Sequence, residues 1–171
     1  RVPKAIGDFL ILDAIRASLD EGVTCIDTAP MYGCGHSEEI VGKAIRDRRH
    51  EVVVATKCGL RWDCTDGDFF FESTVNGQHH RVYRNLRKES IIGECERSLR
   101  RLGIETIDLY QCHWPDKTTA LEETMEALLG LQRQGKIRAI GVSNFTVEMI
   151  RQCQRCGTVA SDQPEYSLLK R

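Results

Sequence analysis

The chain lacks any apolar run near the length of a membrane span. Its longest such stretches reach about six residues, against the ~20 that a helix needs to cross a bilayer. It also lacks a dominant charge sign: 24 basic and 25 acidic residues leave a formal net charge of -1. That balance offers no footprint for nucleic acid or for an anionic membrane surface. No signal peptide or amphipathic transit segment is read at its start, so the expected location is cytoplasmic. No linker or low-complexity tract divides residues 1–171, which are read as a single domain. A complete glycine-rich dinucleotide fingerprint is missing too, because Gly33-Cys34-Gly35 is followed by its next small residue only at Ser37. Cys153-Gln154-Arg155-Cys156 has no second pair, so no metal site is expected there.

What is present suits a folded domain with a sizeable core: 171 residues, 41% hydrophobic and 29% charged. Eight cysteines are many, yet several sit inside apolar runs, such as Val23-Thr24-Cys25-Ile26 and Tyr110-Gln111-Cys112. A buried small hydrophobe occupies such places, and the set is read as mostly reduced thiols.

Strand and helix patterns alternate along the chain. β-rich runs are expected at 23–27, 52–57, 107–113, 137–142 and 159–162. Between them lie helical patterns. One is capped by Asp8, carries Ile11, Ile15 and Leu19, and stops at Gly22. A second covers 37–46 with Ser37 as cap. A third covers 89–102, a fourth opens on a Thr119–Glu122 capping box, and a fifth opens on Thr146. Arg97, Arg100 and Arg101 read as a solvated helix face. Residues 60–88 break the rhythm. Asn76-Gly77 between β-prone segments signals an inserted hairpin, with His79-His80 solvated in it. The near-continuous apolar strands and the alternation predict α/β architecture with a parallel sheet. A doubly wound sheet and a (β/α)8 TIM barrel compete, and the incomplete glycine fingerprint favours the barrel.

A barrel builds its site at the C-terminal ends of its strands. Those ends read Asp27-Thr28-Ala29-Pro30-Met31-Tyr32-Gly33, Thr56-Lys57, His113-Trp114-Pro115, Ser143-Asn144 and Gln163-Pro164. Each residue has an ordinary alternative. Asp27 can cap a loop, Tyr32 can be a surface turn residue, Lys57 a solvated charge, and His113-Trp114-Pro115 plain packing. Their recurrence at the same strand end favours one convergent site.

These segments resemble the aldo-keto reductase family. The stretch from Asp27 to Gly33, continued by Gly35-His36-Ser37-Glu38-Glu39, is similar to its aspartate–tyrosine signature. Ile107 to Pro115, Gly135 to Phe145, and Gln163-Pro164-Glu165-Tyr166-Ser167 match further signatures. The resemblance implies an NADP(H)-dependent oxidoreductase that reduces a small-molecule aldehyde or ketone. It implies that Tyr32 donates the proton, assisted by Lys57, which Asp27 holds, while His113 orients the carbonyl. Ser143, Asn144 and Gln163 are implied to grip the nicotinamide carboxamide. Trp62 and Trp114, with Phe69–Phe71 and the hairpin, are expected to shape the substrate pocket; a rigid lid or a subunit contact is the alternative for the insert. A family barrel has more strands than the five found here. The first strand and the last strands, with the 2′-phosphate loop, are expected to be missing, leaving an incomplete barrel. A nucleotide-sensing or structural subunit on the same scaffold, or an inactive truncated product, remain the alternatives.

Overall fold

The computed structural model describes residues 4–75 and 77–169. Five strands, β1 (Cys25–Asp27), β2 (Val53–Cys58), β6 (Ile107–Cys112), β7 (Ile137–Ser143) and β8 (Ser161–Gln163), form one sheet in the order β1-β2-β6-β7-β8. Every pairing in it is parallel. The sheet curls into half a barrel. Helices α1 (Lys4–Asp20), α2 (His36–Ile45), α3 (Lys88–Leu102), α4 (Leu121–Arg133) and α5 (Val147–Cys156) cover its outer face.

Strand alternation sorts the side chains between the two faces. In β2, Val54 and Cys58 enter the hydrophobic core beneath the helices. Thr56 on the same face donates to Glu38 of α2 at 2.6 Å. Ala55 and Lys57 therefore point into the barrel. In β7, Ile140 and Val142 face the helices, so Gly141 and Ser143 face inward. The core runs through Ile45, Ile91, Leu102, Leu128, Leu131 and Ile140, each at most 2% exposed. Each such side chain contributes ~1.5–3 kcal/mol by leaving water.

The helices form where expected, but several caps differ. Asp8 lies inside α1 rather than capping it, and accepts from His36 Nε2 at 2.7 Å. Leu12, Ile15 and Leu19 pack inward from α1, while Ile11 is exposed. Ser37 lies in the first turn of α2. Its hydroxyl meets Thr28 Oγ1 at 2.9 Å, and Gly35 is the cap residue. Thr119 does not cap α4: its hydroxyl donates to Asp116 at 2.6 Å, and Ala120 stands at the cap. Thr146 does cap α5, accepting from the Met149 N–H. For Asp8 and Ser37 a partner on another element, and for Thr119 the nearby Asp116, takes the group that capping rules assign to a helix end. Arg101 is mostly covered rather than on a solvated face, and reaches from α3 to the buried Glu38 at 2.6 Å. Cys25 is exposed, whereas Cys58, Cys95, Cys112 and Cys153 are buried; all eight thiols are free.

The expected insert is a three-stranded antiparallel sheet of β3 (Leu60–Arg61), β4 (Asp68–Val75) and β5 (Gln78–Arg84), ordered β3-β5-β4. Asn76 of the anticipated turn lies outside the described residues. Gly77 beside it has φ +80°, the conformation a tight hairpin turn asks of glycine.

Candidate active site

Asp27 ends β1, Lys57 stands one residue before the end of β2, and His113 follows β6 directly. Adjacent parallel strands thus bring an acid, an amine and an imidazole to one rim. Lys57 Nζ donates to both carboxylate oxygens of Asp27, at 2.8 and 2.7 Å, and to the Thr28 carbonyl at 3.1 Å. The Lys57 side chain is 2% exposed and that of Asp27 37%. An amine so deeply placed is stable only with such partners.

Tyr32 is carried by the loop between β1 and α2. Gly35 N–H donates to Pro30 at 2.6 Å and Ser37 N–H to Tyr32 at 3.2 Å, so the loop is held by its own backbone. Cys34 sits at φ +54° between two glycines that are also left-handed. A Cβ at Gly35 would lie 2.7 Å from Arg101 Cδ, so that position needs glycine on two grounds. The loop leaves Tyr32 44% exposed, with its ring centroid 5.3 Å from Lys57 Nζ. The ring meets His113 edge to face at 5.9 Å and 86°. Tyr32, Lys57, Asp27 and His113 therefore converge as expected.

Burial, with the nearby Lys57 charge, lowers the His113 pKa to about 4, against a smaller opposing pull from Asp27. The imidazole is neutral around pH 7 and keeps one N–H to donate. Its main chain is fixed on both sides. His113 N–H donates to the Cys58 carbonyl at 2.9 Å, and Asn144 Nδ2 donates to the His113 carbonyl at 3.0 Å.

Ser143, Asn144 and Gln163 also come together. Asn144 adopts φ +61°, a left-handed conformation uncommon outside glycine but tolerated by asparagine. Its amide nitrogen is spent on the His113 carbonyl and on Ser143 Oγ at 2.9 Å. Ser143 Oγ donates to the Gln163 carbonyl at 2.8 Å, and Gln163 Nε2 donates to Asp27 at 3.4 Å. These bonds engage the amide nitrogens and leave the side-chain carbonyl oxygens of Asn144 and Gln163 as acceptors, on residues tied to the His113 main chain and to Asp27. A carboxamide NH2 needs acceptors of that kind, so the residues fit a nicotinamide.

Trp114 packs against Phe70 of β4 at a tilt of 56°, with ring centroids 5.1 Å apart, and Arg84 lies 4.5 Å over Phe70. The hairpin thus leans on the His113 loop. Phe69 turns away toward Tyr83 and Arg81 and is 43% exposed. Trp62 lines a recess of about 50 Å³ with Pro30, Arg61, Asp63, Glu94, Arg97 and Arg101. Among the described residues no group of three metal-binding side chains occurs.

Three participants escaped the sequence reading. Gln111 reaches Asp27 at 3.5 Å from within β6. Asp116 accepts from Leu86 N–H at 3.0 Å, tying the hairpin exit to the His113 loop. Glu94 accepts the Gly59 N–H at 3.2 and 3.1 Å, two residues past Lys57. The only signal for Gln111 was an amide inside an apolar strand.

Residues 7–171 match the family model for the Aldo/keto reductase family. Over 162 residues the chain is 43% identical to Aldo-keto reductase YhdN of Bacillus subtilis, covering 94% of this chain and 44% of that protein. It is 41% identical to the NADH-specific methylglyoxal reductase of Escherichia coli, with 95% and 49% covered. Among solved structures, the glycerol dehydrogenase AKR11B4 of Gluconobacter oxydans superposes with TM-score 0.83 at 44% identity, covering 94% of this chain and 46% of that one. An aldo/keto reductase of Klebsiella pneumoniae in complex with NADP and acetate gives 0.71 at 35% identity, with 91% and 47% covered. The chain spans about half the length of the relatives it matches.

Proposed function

The chain belongs to the aldo/keto reductase family, and on that premise we propose that it carries the catalytic groups of an NADPH-dependent carbonyl reductase. The carrying observation is Lys57, held by both oxygens of Asp27 and lying 5.3 Å from the centre of the Tyr32 ring. A reduced nicotinamide bound there would supply the hydride for the carbonyl carbon. Asn144 and Gln163 would hold its carboxamide through their side-chain oxygens.

The remaining chemistry belongs to this chain. As negative charge develops on the carbonyl oxygen, Tyr32 donates its phenolic proton to that oxygen. The Lys57 ammonium stabilises the charge left on the phenol, and Asp27 fixes the ammonium in place. Neutral His113 donates a second hydrogen bond to the same oxygen and so orients the substrate. A protonated imidazole there would repel Lys57, and burial opposes it. Phe70 and Trp114 form an apolar wall at the mouth and select the group attached to the carbonyl. The site works in a cytoplasmic protein whose thiols stay reduced.

Fluorescence titration with NADPH and NADH, followed by steady-state reduction of an aromatic aldehyde, tests this reading in the natural polypeptide that contains these residues. Cofactor binding with turnover, tighter for NADPH, is expected. Binding without turnover would instead mark a nucleotide-sensing subunit.

A further inference from the structure

Beneath the Asp27–Lys57 pair, a row of inward-facing residues crosses the sheet. Lys57 registers with Gln111, Gln111 with Gly141, and Gly141 with Ser161. Gln111 is 3% exposed. Its Nε2 donates to Asp27 Oδ1 at 3.5 Å, and its Oε1 accepts from Ser161 Oγ at 3.2 Å. Both ends of the amide are therefore engaged, in the orientation each end requires.

The Gln111–Ser161 bond passes over Gly141. A Cβ on Gly141 would lie 2.4 Å from Ser161 Oγ, 2.8 Å from Gln111 Cγ and 3.2 Å from Gln111 Oε1. Any side chain at 141 would occupy the space through which the amide reaches β8. Glycine weakens a strand interior, so its presence there marks a close approach by something else. The close approach here is the bond that anchors Gln111.

We propose that Gln111, anchored by Ser161 across the gap at Gly141, is a positioning residue that orients the Asp27 carboxylate toward Lys57. Its role in catalysis rests on the carbonyl-reductase reading; its grip on Asp27 does not. Asp27 is 37% exposed and is the last residue of a three-residue strand, so the pairing of its own strand ends at it. Oδ1 receives Lys57 at 2.8 Å and Gln111 on another side, while Oδ2 receives Lys57 at 2.7 Å and Gln163. Two neutral amides thus fix the carboxylate plane without adding charge. A second cation would compete with Lys57 for Asp27, and a second acid would repel it. A glutamine does neither.

The test records side-chain 1H–15N spectra of the natural polypeptide, with Lys57→Met assigning the Lys57 ammonium signal. In Gln111→Leu, which removes the amide but keeps a side chain of similar length, exchange of the Lys57 ammonium protons with water should rise about threefold to fivefold, the scale of losing one hydrogen bond at the weak end of the net range. The kcat for carbonyl reduction should fall by a similar factor with KM unchanged. Ser161→Ala removes only the anchor and should raise exchange about twofold, so the idea stays testable if Gln111→Leu fails to fold. Unchanged Lys57 exchange in the folded variants overturns the proposal, even if kcat falls. An unsubstituted protein without reductase activity contradicts the functional reading alone, because the Lys57 comparison needs neither cofactor nor turnover.

Discussion

Replacing Glu94 by glutamine isolates the effect of one buried carboxyl on stability. Glu94 is 3% exposed on α3. It accepts from Gly59 N–H and, at 3.0 Å, from Ser90 Oγ. Burial raises its pKa from the ordinary 4.5 to about 7, despite the opposing charges of Arg61 and Arg97 and the two hydrogen bonds. Between those pH values the folded protein keeps a proton that the unfolded chain has released. Stability from this group is therefore fully present below pH 4.5 and is lost as pH rises through 7. Moving a carboxyl from 4.5 to about 7 corresponds to roughly 3 kcal/mol. His113 acts in the opposite sense. Its folded pKa of about 4 lies below the ordinary 6.5, so its contribution falls as pH drops through that window. The two slopes oppose each other, and the wild-type profile alone conceals both. Urea unfolding of wild type and Glu94→Gln, compared at each pH from 4 to 8, cancels the histidine. The stability difference should shift by roughly 3 kcal/mol against the wild type as pH rises across the window. A difference constant with pH would refute the assignment of a buried, protonated Glu94.

Two further substitutions follow from the packing. Arg101→Met leaves Glu38, which is 0% exposed, without its guanidinium, and should cost about 3–5 kcal/mol by urea denaturation at pH 7. Phe70→Ala removes the ring against Trp114, and should change the ranking of kcat/KM among aromatic and aliphatic aldehydes while leaving cofactor affinity unchanged. An unaltered substrate ranking would separate the hairpin from the substrate pocket.

The strands were legible because a parallel sheet covered by helices needs near-continuous apolar runs, as in Val52-Val53-Val54-Ala55 and Ile137 to Val142. The hairpin was legible from the Asn-Gly turn between β-prone segments. Helix starts were less so. Asp8, Ser37 and Thr119 have cap chemistry, but His36 claims Asp8 from 28 residues away, Thr28 claims Ser37 from just past the preceding strand, and Asp116 claims Thr119 within one turn of chain. Local cap rules weigh only the helix's own N–H groups and so miss all three competitors, although Asp116 stands three residues from Thr119. Arg101 misled for a related reason: its partner Glu38 lies 63 residues away. At the site, Asp27, Lys57 and His113 stood out as polar residues at strand ends, and Tyr32 as the phenol of the first strand's loop. Gln111 and Glu94 did not, because a polar residue inside an apolar pattern declares its role only when its partner is seen. Nor did sequence show the neighbours of Trp62, which lies among Pro30 and three arginines, because those arginines are Arg61 beside it and Arg97 and Arg101 of α3.

The central claim is that Tyr32 delivers the proton while Lys57 supports the charge it leaves. The most direct measurement compares Tyr32→Phe with wild type in NADPH binding and in aldehyde reduction, using the natural polypeptide that contains this chain. Phenylalanine keeps the ring against His113 and removes only the hydroxyl. The account predicts cofactor affinity within about twofold of wild type and a kcat lowered by a factor of roughly 100 or more, the usual scale of lost general-acid catalysis. Turnover near the wild-type rate with the phenol gone would contradict it.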